Sequence, residues 1–237
     1  MPQSAQTAQP SPPAPAPAPA PRRVADATRE RLLSAAAHLF SERGFVATSM
    51  RAVTQAAGVS VSAANYHFGS KQALLEAVCE HHIALLNARR LAALDAVADR
   101  FATSAPPLEE VLRAFLGPLF EPSDPGLQQC SRAIAARLYS DPPEVAWELR
   151  ETLFGPLRLR MLALVARALP EADPAQLGLA LQFTVGAMVH SVSGNLEPVS
   201  GAAGSASNDA WTVELMIDYC AAGMRAVATR TALGGTR

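Results

Sequence analysis

The residues with the clearest capacity for chemistry lie in the stretch 48–71, TSMRAVTQAAGVSVSAANYHFGSK. Near its middle stand side chains that are small or can form hydrogen bonds, at Val61, Ser62, Ala63 and Asn65. A helix that enters the major groove of DNA needs such residues on its outer side, because base edges must come within contact distance. An asparagine can pair with adenine through both amide atoms, and a valine can pack on a thymine methyl group. The stretch therefore predicts recognition of bases by a helix.

Two short helices are predicted in this stretch from their capping residues. Thr48 and Ser49 are candidate N-caps for the first helix, and Gly58 interrupts it. Ser60 is a candidate cap for the second helix, and Ser70 for the helix that follows. Two short helices joined by a tight turn that contains glycine form a helix-turn-helix, which we place at 48–67.

The other elements that position this motif are also predicted to be helical. Apolar residues at helical spacing before Gly44 predict a bracing helix in front of the motif. We see no convincing strand, and the chain is therefore predicted to be all-α. The later helices are separated by proline-bearing breaks, with a kink expected at Gly155-Pro156; they cover about 71–98, 108–120, 125–140, 143–169, 174–193 and 209–229.

Two segments are predicted to lack a packed structure. Residues 1–21 contain eight prolines and no charged side chain, a composition that cannot form a buried core. We therefore expect a disordered Pro/Ala-rich tail over 1–24. Residues 200–208 are rich in Gly, Ala, Ser and Asn, and predict a flexible loop between the last two helices.

Charge is distributed unevenly along the chain. The whole protein has a net charge of −1, which by itself argues against binding to nucleic acid. Residues 22–71 nevertheless have a net charge of +4, and residues 72–237 a net charge of −5. A basic segment attached to an acidic body is typical of a phosphate-contacting module, although chance clustering of a few charges would give the same values.

The sequence provides no signature of an enzyme or of a bound metal. It contains no nucleophile elbow, no HExxH, no glycine-rich phosphate loop and no zinc-type cysteine spacing. Cys79, Cys130 and Cys220 lie far apart, which favours reduced thiols. We expect no catalysis, no cofactor and no metal. Since the sequence has neither a secretory signal nor about 18 uninterrupted apolar residues, we also expect a soluble, cytoplasmic protein that does not contact membranes.

Three passages together resemble the DNA-binding domain of the tetracycline-repressor (TetR) family. They are LFSERGF.ATSMR at 39–51, AAGVS at 56–60 and NYHFGSK at 65–71. The resemblance covers residues 26–86 and implies a three-helix DNA-binding domain there. The ending NYHFGSK is similar to a subgroup that includes fatty-acid-responsive regulators. Asn65 departs from the family, since many members have tyrosine there, so the operator sequence does not follow from the resemblance.

The resemblance implies a role for each matching residue. Arg51 would contact a phosphate or a base edge, His67 and Lys71 would contact phosphates, and Lys71 is the only lysine in the chain. Tyr66 and Phe68 can stack on bases, but at helical spacing such aromatic residues more often belong to a core. The residues expected to contact DNA are Thr48, Ser49, Arg51, Val61, Ser62, Ala63, Asn65, Tyr66, His67 and Lys71.

The resemblance also implies that residues 87–237 form a helical domain for effector binding and dimerisation. Helices 174–193 and 209–229 are apolar on much of their circumference and need partners on more than one side, which independently favours a homodimer through the last two helices. An apolar stripe including Leu181 and Met216 is the predicted dimer surface. A small apolar or amphipathic effector, such as an acyl chain, is expected among the middle helices. Its candidate contacts are Phe115, Tyr139, Trp147, Phe154, Phe183 and His190, although each is more often plain core.

These observations predict a DNA-binding transcriptional regulator, specifically a ligand-released repressor that binds a palindromic double-stranded operator as a homodimer. The alternative is a helical ligand-binding or interaction protein that no longer binds DNA. The basic segment and the intact docking helix favour the first interpretation.

Overall fold

The computed structural model describes residues 21–121, 125–140, 143–192 and 209–229, and over these ranges the chain is helical with no strand. The expected all-α class is confirmed. The described α-helices, in chain order, are α1 Pro21–Ala47, α2 Met50–Ala57, α3 Val61–Phe68, α4 Lys71–Cys79, α5 Leu85–Arg100, α6 Leu108–Leu116, α7 Pro125–Ser140, α8 Pro143–Ala168, α9 Pro174–Val192 and α10 Asp209–Ala228.

The first hydrophobic core holds the N-terminal helices together. Leu32, Leu33 and Phe40 of α1 pack with Val53 of α2 and Ala64 of α3, all buried. The core also includes buried residues from α4 and from α7. Since α2 and α3 are only eight residues long, they depend on this packing rather than on intrinsic helix stability.

The second core belongs to the body of the molecule. Buried residues of α5, α6, α8, α9 and α10 form one hydrophobic cluster, with α6 packed against both α5 and α10. Two ion pairs on the surface also join α6 to α10, Arg113 to Glu214 and Arg225 to Glu109.

A single helical rod links the two cores, and we call it the connecting helix, Lys71–Arg100. It consists of α4, a π-helical turn at Glu80–Ala84 and α5, with right-handed helical backbone angles at both junctions. Its 30 residues correspond to a length of about 45 Å. Single π-helical turns inside α-helices are often found at functional positions.

One sequence-based boundary differs from the structure. The tail was expected to extend to residue 24, but α1 begins at Pro21; residues 1–20 and the expected loop 200–208 lie outside the described residues. The single helix expected over 143–169 is found as α8, which continues through Gly155 and Pro156. By contrast, Gly44 does leave the helical conformation near the end of α1, with φ 80° and ψ 166°.

Candidate nucleic-acid interface and ligand cavity

Serine caps and one left-handed glycine set the geometry of the motif. The Ser49, Ser60 and Ser70 hydroxyl oxygens accept hydrogen bonds from the backbone N–H three residues later, at 3.1, 3.1 and 3.0 Å. Each serine thereby satisfies one otherwise unpaired N–H at the start of a helix. Gly58 ends α2 with φ 63° and ψ 37°, a conformation that costs glycine little and lets α3 turn away immediately.

The side of α3 that points away from the first core is polar and accessible. Ala64 faces inward and is fully buried, whereas Ser62 and Asn65 are exposed and Val61 is 47% exposed. Ala63 is half-buried and adds little bulk beside them. A helix with small and hydrogen-bonding groups on its free side is suited to the width of the major groove.

Tyr66 and Phe68 have different environments, although the sequence did not separate them. Tyr66 is 84% exposed and its ring lies edge-on to that of His67. Phe68 is half-buried against the first core, and the Arg29 guanidinium lies 5.5 Å from its ring centre. The core interpretation therefore holds for Phe68 and is wrong for Tyr66, which can reach a ligand surface.

The helices before and after α3 each have a positively charged residue close to it in the sequence. The Lys71 ammonium, at the start of α4, is 4.1 Å from the centre of the Phe45 ring and 3.4 Å from the Val46 carbonyl oxygen. The start of a helix also has a partial positive charge and free N–H groups, which favours an anion. Arg51 on α2 is exposed, and His67 near the end of α3 is half-buried. These positions are suited to contact with phosphates that flank a groove.

A cavity of about 520 Å³ lies within the body, between α5, α6, α8 and α9. Its walls include Phe115 of α6, Trp147 and Phe154 of α8, and Leu181 of α9. The volume is within the range of small-molecule sites, and a mostly apolar wall with a few polar groups is typical of them. Three of the aromatic residues proposed from sequence, Phe115, Trp147 and Phe154, therefore do lie together around one space.

The cavity also contains a charged residue that the sequence analysis missed. Arg90 of α5 is 1% exposed, and its guanidinium carbon lies 4.9 Å from the centre of the Phe115 ring. One of its terminal nitrogens is 3.1 Å from the Met188 sulfur. Arg89 and Arg90 are adjacent in the sequence, so charge pattern alone did not show that Arg90 points inward. The spacing Leu86-Arg90-Leu94 along the buried side of α5 is the signal that could have revealed it.

The π-helical turn buries a histidine between the N-terminal helices and α7. His82 is 8% exposed, and its Nδ1 lies 3.4 Å from the Ser131 hydroxyl oxygen. Burial, together with the neighbouring positive charge of His81 when protonated, lowers the pKa of His82 to about 4. The ring is therefore neutral near pH 7.

An apolar surface, which we call the outer face, lies on the side of α9 and α10 that points away from the second core. Its members are large hydrophobic residues more than half exposed, at Leu179, Phe183, Trp211, Leu215 and Tyr219. Within each helix they are four residues apart, so each helix presents one continuous stripe. By length and composition alone α9 could cross a membrane, with 28% of its most apolar window buried.

Two family models match the chain on either side of the connecting helix. Residues 32–78 match the bacterial regulatory proteins of the tetR family, and residues 113–223 match the tetracyclin repressor-like C-terminal domain. The first match covers the serine-capped helices and the second covers most of the cavity wall. The chain belongs to the TetR family.

Individual relatives resemble parts of this TetR-family chain. It is 43% identical over 54 residues to the HTH-type transcriptional regulator UidR of Escherichia coli K12, covering 23% of this chain and 28% of UidR. It is 31% identical over 93 residues to the uncharacterized HTH-type transcriptional regulator YerO of Bacillus subtilis 168, covering 39% of this chain and 30% of YerO. The matches thus span less than a third of these curated relatives.

A solved structure has the same fold over nearly the whole chain. A TetR-like transcriptional regulator from Rhodococcus sp. RHA1 superimposes with a TM-score of 0.54 at 22% identity, covering 90% of this chain and 100% of that one. Likeness to the fatty-acid-responsive subgroup has no support among these matches.

The structure corrects three of the contact residues that the TetR resemblance suggested, and it does not describe the side chain of a fourth. Thr48 is 3% exposed and its hydroxyl donates to the Gly44 carbonyl 2.9 Å away, so its side chain joins two segments and does not face a ligand. Phe183 is 69% exposed on the outer face, and His190 is also exposed; neither lines the cavity, because both point away from the second core. The side chain of Tyr139 lies outside the described residues.

Proposed function

We propose that this chain is a DNA-binding transcriptional repressor that acts as a homodimer and is released from its operator by a small molecule. In this proposal residues 26–86 form the DNA-binding domain and residues 87–237 the effector and dimerisation domain. The observation that supports it best is the free polar side of α3, held by serine caps between positions of positive charge. Such a protein acts on DNA in the cytoplasm.

In the proposed complex α3 lies in the major groove. Val61, Ser62, Ala63 and Asn65 face base edges, and Arg51, His67 and Lys71 contact phosphates. Ser49 and Tyr66 are exposed beside them and can reach the sugar–phosphate backbone. Contacts to phosphates fix the position of the protein, and contacts to base edges give it specificity.

The proposed dimer forms through the outer face. An apolar surface with five large side chains more than half exposed is unusual for a monomer and is typical of a protein interface. The stripe predicted from sequence included Leu181 and Met216, which are 4% and 7% exposed and pack inside the second core. The proposed interface therefore lies on the side of α9 and α10 opposite to these two residues. Burial of the outer face would also account for the low burial of α9 without a membrane.

The proposed effector occupies the cavity between α5, α6, α8 and α9. The cavity supports a small apolar or amphipathic molecule, because aromatic and aliphatic side chains form most of its wall. Since α5 contributes to this wall and continues through the π-helical turn into α4, a bound ligand can shift the end of the connecting helix near α3.

Operator binding tests the proposal directly. Full-length protein should select a palindromic consensus from random duplexes, and should bind it at least about a thousandfold more tightly than a shuffled duplex of equal composition. The DNA upstream of the protein's own gene provides a second candidate duplex. The negative outcome is that selection yields no consensus and the upstream duplex binds no more tightly than a shuffled duplex of equal composition. In that case the protein is instead a helical ligand-binding protein without sequence-specific DNA recognition.

A further inference from the structure

An arginine of α7 binds the end of α1, and it joins the N-terminal helices to the rest of the chain by a second route beside the connecting helix. We propose that Arg137 sets the orientation of α1, α2 and α3 on the body, and that it thereby determines which spacing of operator half-sites the dimer accepts. This inference deepens the proposed function and rests on it, because it takes the protein to bind a two-part operator as a dimer.

The Arg137 guanidinium meets backbone carbonyls near the end of α1. Its Nε donates a hydrogen bond to the Ser41 carbonyl oxygen at 3.3 Å, and a terminal nitrogen donates to the Glu42 carbonyl oxygen at 2.7 Å. Gly44 leaves the helical conformation two residues later, so both carbonyls lie in the last regular turn. The carbonyls of a last turn have no helical donors and carry partial negative charge, which makes a guanidinium a favourable partner. Two hydrogen bonds from one planar group also fix a direction.

The same end of α1 is tied to the start of α2. The Thr48 hydroxyl oxygen, two residues before α2, lies 2.9 Å from the Gly44 carbonyl oxygen and 3.3 Å from that of Leu39. Next along the chain, α2 packs against α1 and α3 packs against both. The backbone that Arg137 binds is therefore adjacent to the segment that positions α2 and α3.

The position of α7 suits it to fix this orientation. Its residues Ile134 and Leu138 are buried in the first core, and α7 also contacts the π-helical turn and α9, a helix of the proposed dimer surface. Apolar contacts are not directional and tolerate sliding of one helix on another. The hydrogen bonds of Arg137 require a defined distance and angle. Arg137 is therefore the residue of α7 that specifies one orientation of α1.

The spacing of half-sites depends on this orientation. One added base pair moves two half-sites about 3.4 Å apart and rotates one relative to the other by about 35° around the DNA axis. The dimer can follow only if its N-terminal helices move on the body, which breaks the hydrogen bonds of Arg137. Hydrogen bonds to a charged group correspond to a factor of about ten to a hundred in affinity. The wild type should therefore prefer its best spacing by about that factor over a spacing changed by one base pair.

Duplexes that hold the same two half-sites at five spacings measure this preference by fluorescence anisotropy. The spacings run from two base pairs shorter to two longer than in the selected operator, and a duplex with a single half-site completes the set. Arg137→Met keeps an unbranched side chain without the N–H donors, so it should bind spacings changed by one base pair within about threefold of the best one. It should bind the single half-site as the wild type does, because α3 is unchanged. Arg137→Lys, which keeps the charge, should give an intermediate preference.

Arg132→Met is the matched control. Arg132 also lies on α7 and also donates to a backbone carbonyl at 2.7 Å, but that carbonyl belongs to Leu119, which is buried in the second core and not part of α1. The control should keep the spacing preference of the wild type. Thermal unfolding of each variant checks that the fold is retained, and Arg137→Lys keeps the test valid if Arg137→Met unfolds.

Three results would overturn the inference. An unchanged spacing preference in Arg137→Met would show that its hydrogen bonds do not set the orientation. An equal loss of preference in Arg132→Met would assign the effect to α7 as a whole. Equal binding of all five spacings by the wild type would show that no single orientation is held. Failure of the proposed function is a separate result, because it is seen with the wild type alone: no palindromic operator is selected, and the inference fails with it.

Discussion

Lys71 and Arg90 lie on the same connecting helix, with the π-helical turn Glu80–Ala84 between them. They are nineteen positions apart along the helix, which corresponds to about 28 Å. Lys71 is the cation beside α3, and Arg90 is the charge at the cavity wall. One continuous helix therefore joins the two positions, and it is the structural basis for the coupling between cavity and DNA that we predict below.

Lys71→Ala should weaken DNA binding by about the same factor for every sequence. If each dimer neutralises 6–10 phosphates, affinity of the wild type should fall by roughly three to five decades between 50 and 200 mM salt. Removal of one phosphate contact from each subunit should flatten that slope. Fluorescence anisotropy across a salt series measures it. Gln72→Ala, the neighbouring neutral side chain on α4, is the control and should change nothing. Identical slopes for Lys71→Ala and the wild type would contradict the phosphate contact.

Asn65→Ala should broaden the operator consensus at one position in each half-site. Loss of a bidentate contact to a base should cost roughly 1–3 kcal/mol at that base and leave other positions unaffected. Selection from random duplexes, followed by sequencing, shows the change. Gln55→Ala on the exposed side of α2 is a suitable control. An unchanged consensus for Asn65→Ala would assign the residue to the backbone of DNA rather than to a base.

The sequence predicts where the helices of the motif begin and end, but it does not predict the direction of every side chain. Serine caps and glycines act within a few residues, so the ends of α2, α3 and the start of α4 were predicted closely. Arg90 and Thr48 were not, because the direction of a side chain depends on distant packing: Arg90 meets Phe115, and Thr48 meets the turn at Gly44. The placement of Leu181 and Met216 on the dimer surface was wrong for the same reason. Periodicity shows that α9 and α10 are apolar on two sides, but it does not show which side packs against the second core.

Phe183→Glu and Tyr219→Glu should each convert the proposed dimer into a soluble monomer. Both side chains are exposed on the outer face, so a charge there costs nothing in the monomer but is very unfavourable in a buried interface. Light scattering at micromolar concentration reports the mass. Leu159→Glu, a similarly exposed apolar residue on α8, is the control and should remain dimeric. A wild type that is already monomeric would contradict the dimer. Leu181→Glu differs from all three, because it should unfold the second core.

The free energy of unfolding should depend on His82 between about pH 4 and pH 6.5. The folded protein holds the pKa of this histidine near 4, whereas in the unfolded chain it has its usual value of 6.5. In that interval the unfolded state binds more protons, so stability falls as the pH is lowered through it. His82→Gln removes this titration. Denaturant unfolding at several pH values measures the free energy of unfolding of both proteins. The value for the wild type, relative to that for the variant, should be greater near neutral pH than at pH 4.5. A constant difference between them would show that His82 does not titrate differently on unfolding.

The connecting helix should couple the cavity to DNA. If a ligand in the cavity tilts α5, the π-helical turn and α4 follow, and the α3 helices of a dimer no longer match successive major grooves. A ligand releases DNA only to the extent that it prefers the DNA-free conformation, so a hundredfold loss of operator affinity requires about 2.7 kcal/mol of coupling. By the same linkage, operator DNA must weaken the ligand a hundredfold.

A small apolar or amphipathic molecule that binds the cavity should therefore release the DNA when it is titrated into a preformed complex of protein and operator. Arg90→Met, which changes the cavity wall, should change the concentration needed for release. Without ligand the variant should bind operator as the wild type does, because Arg90 lies about 28 Å from Lys71 along the helix. Anisotropy of labelled operator measures release, and calorimetry with and without DNA measures the reciprocal effect. If such a molecule binds the free protein but changes operator affinity in neither direction, the cavity is a binding site that is not coupled to α3, and the connecting helix is only structural.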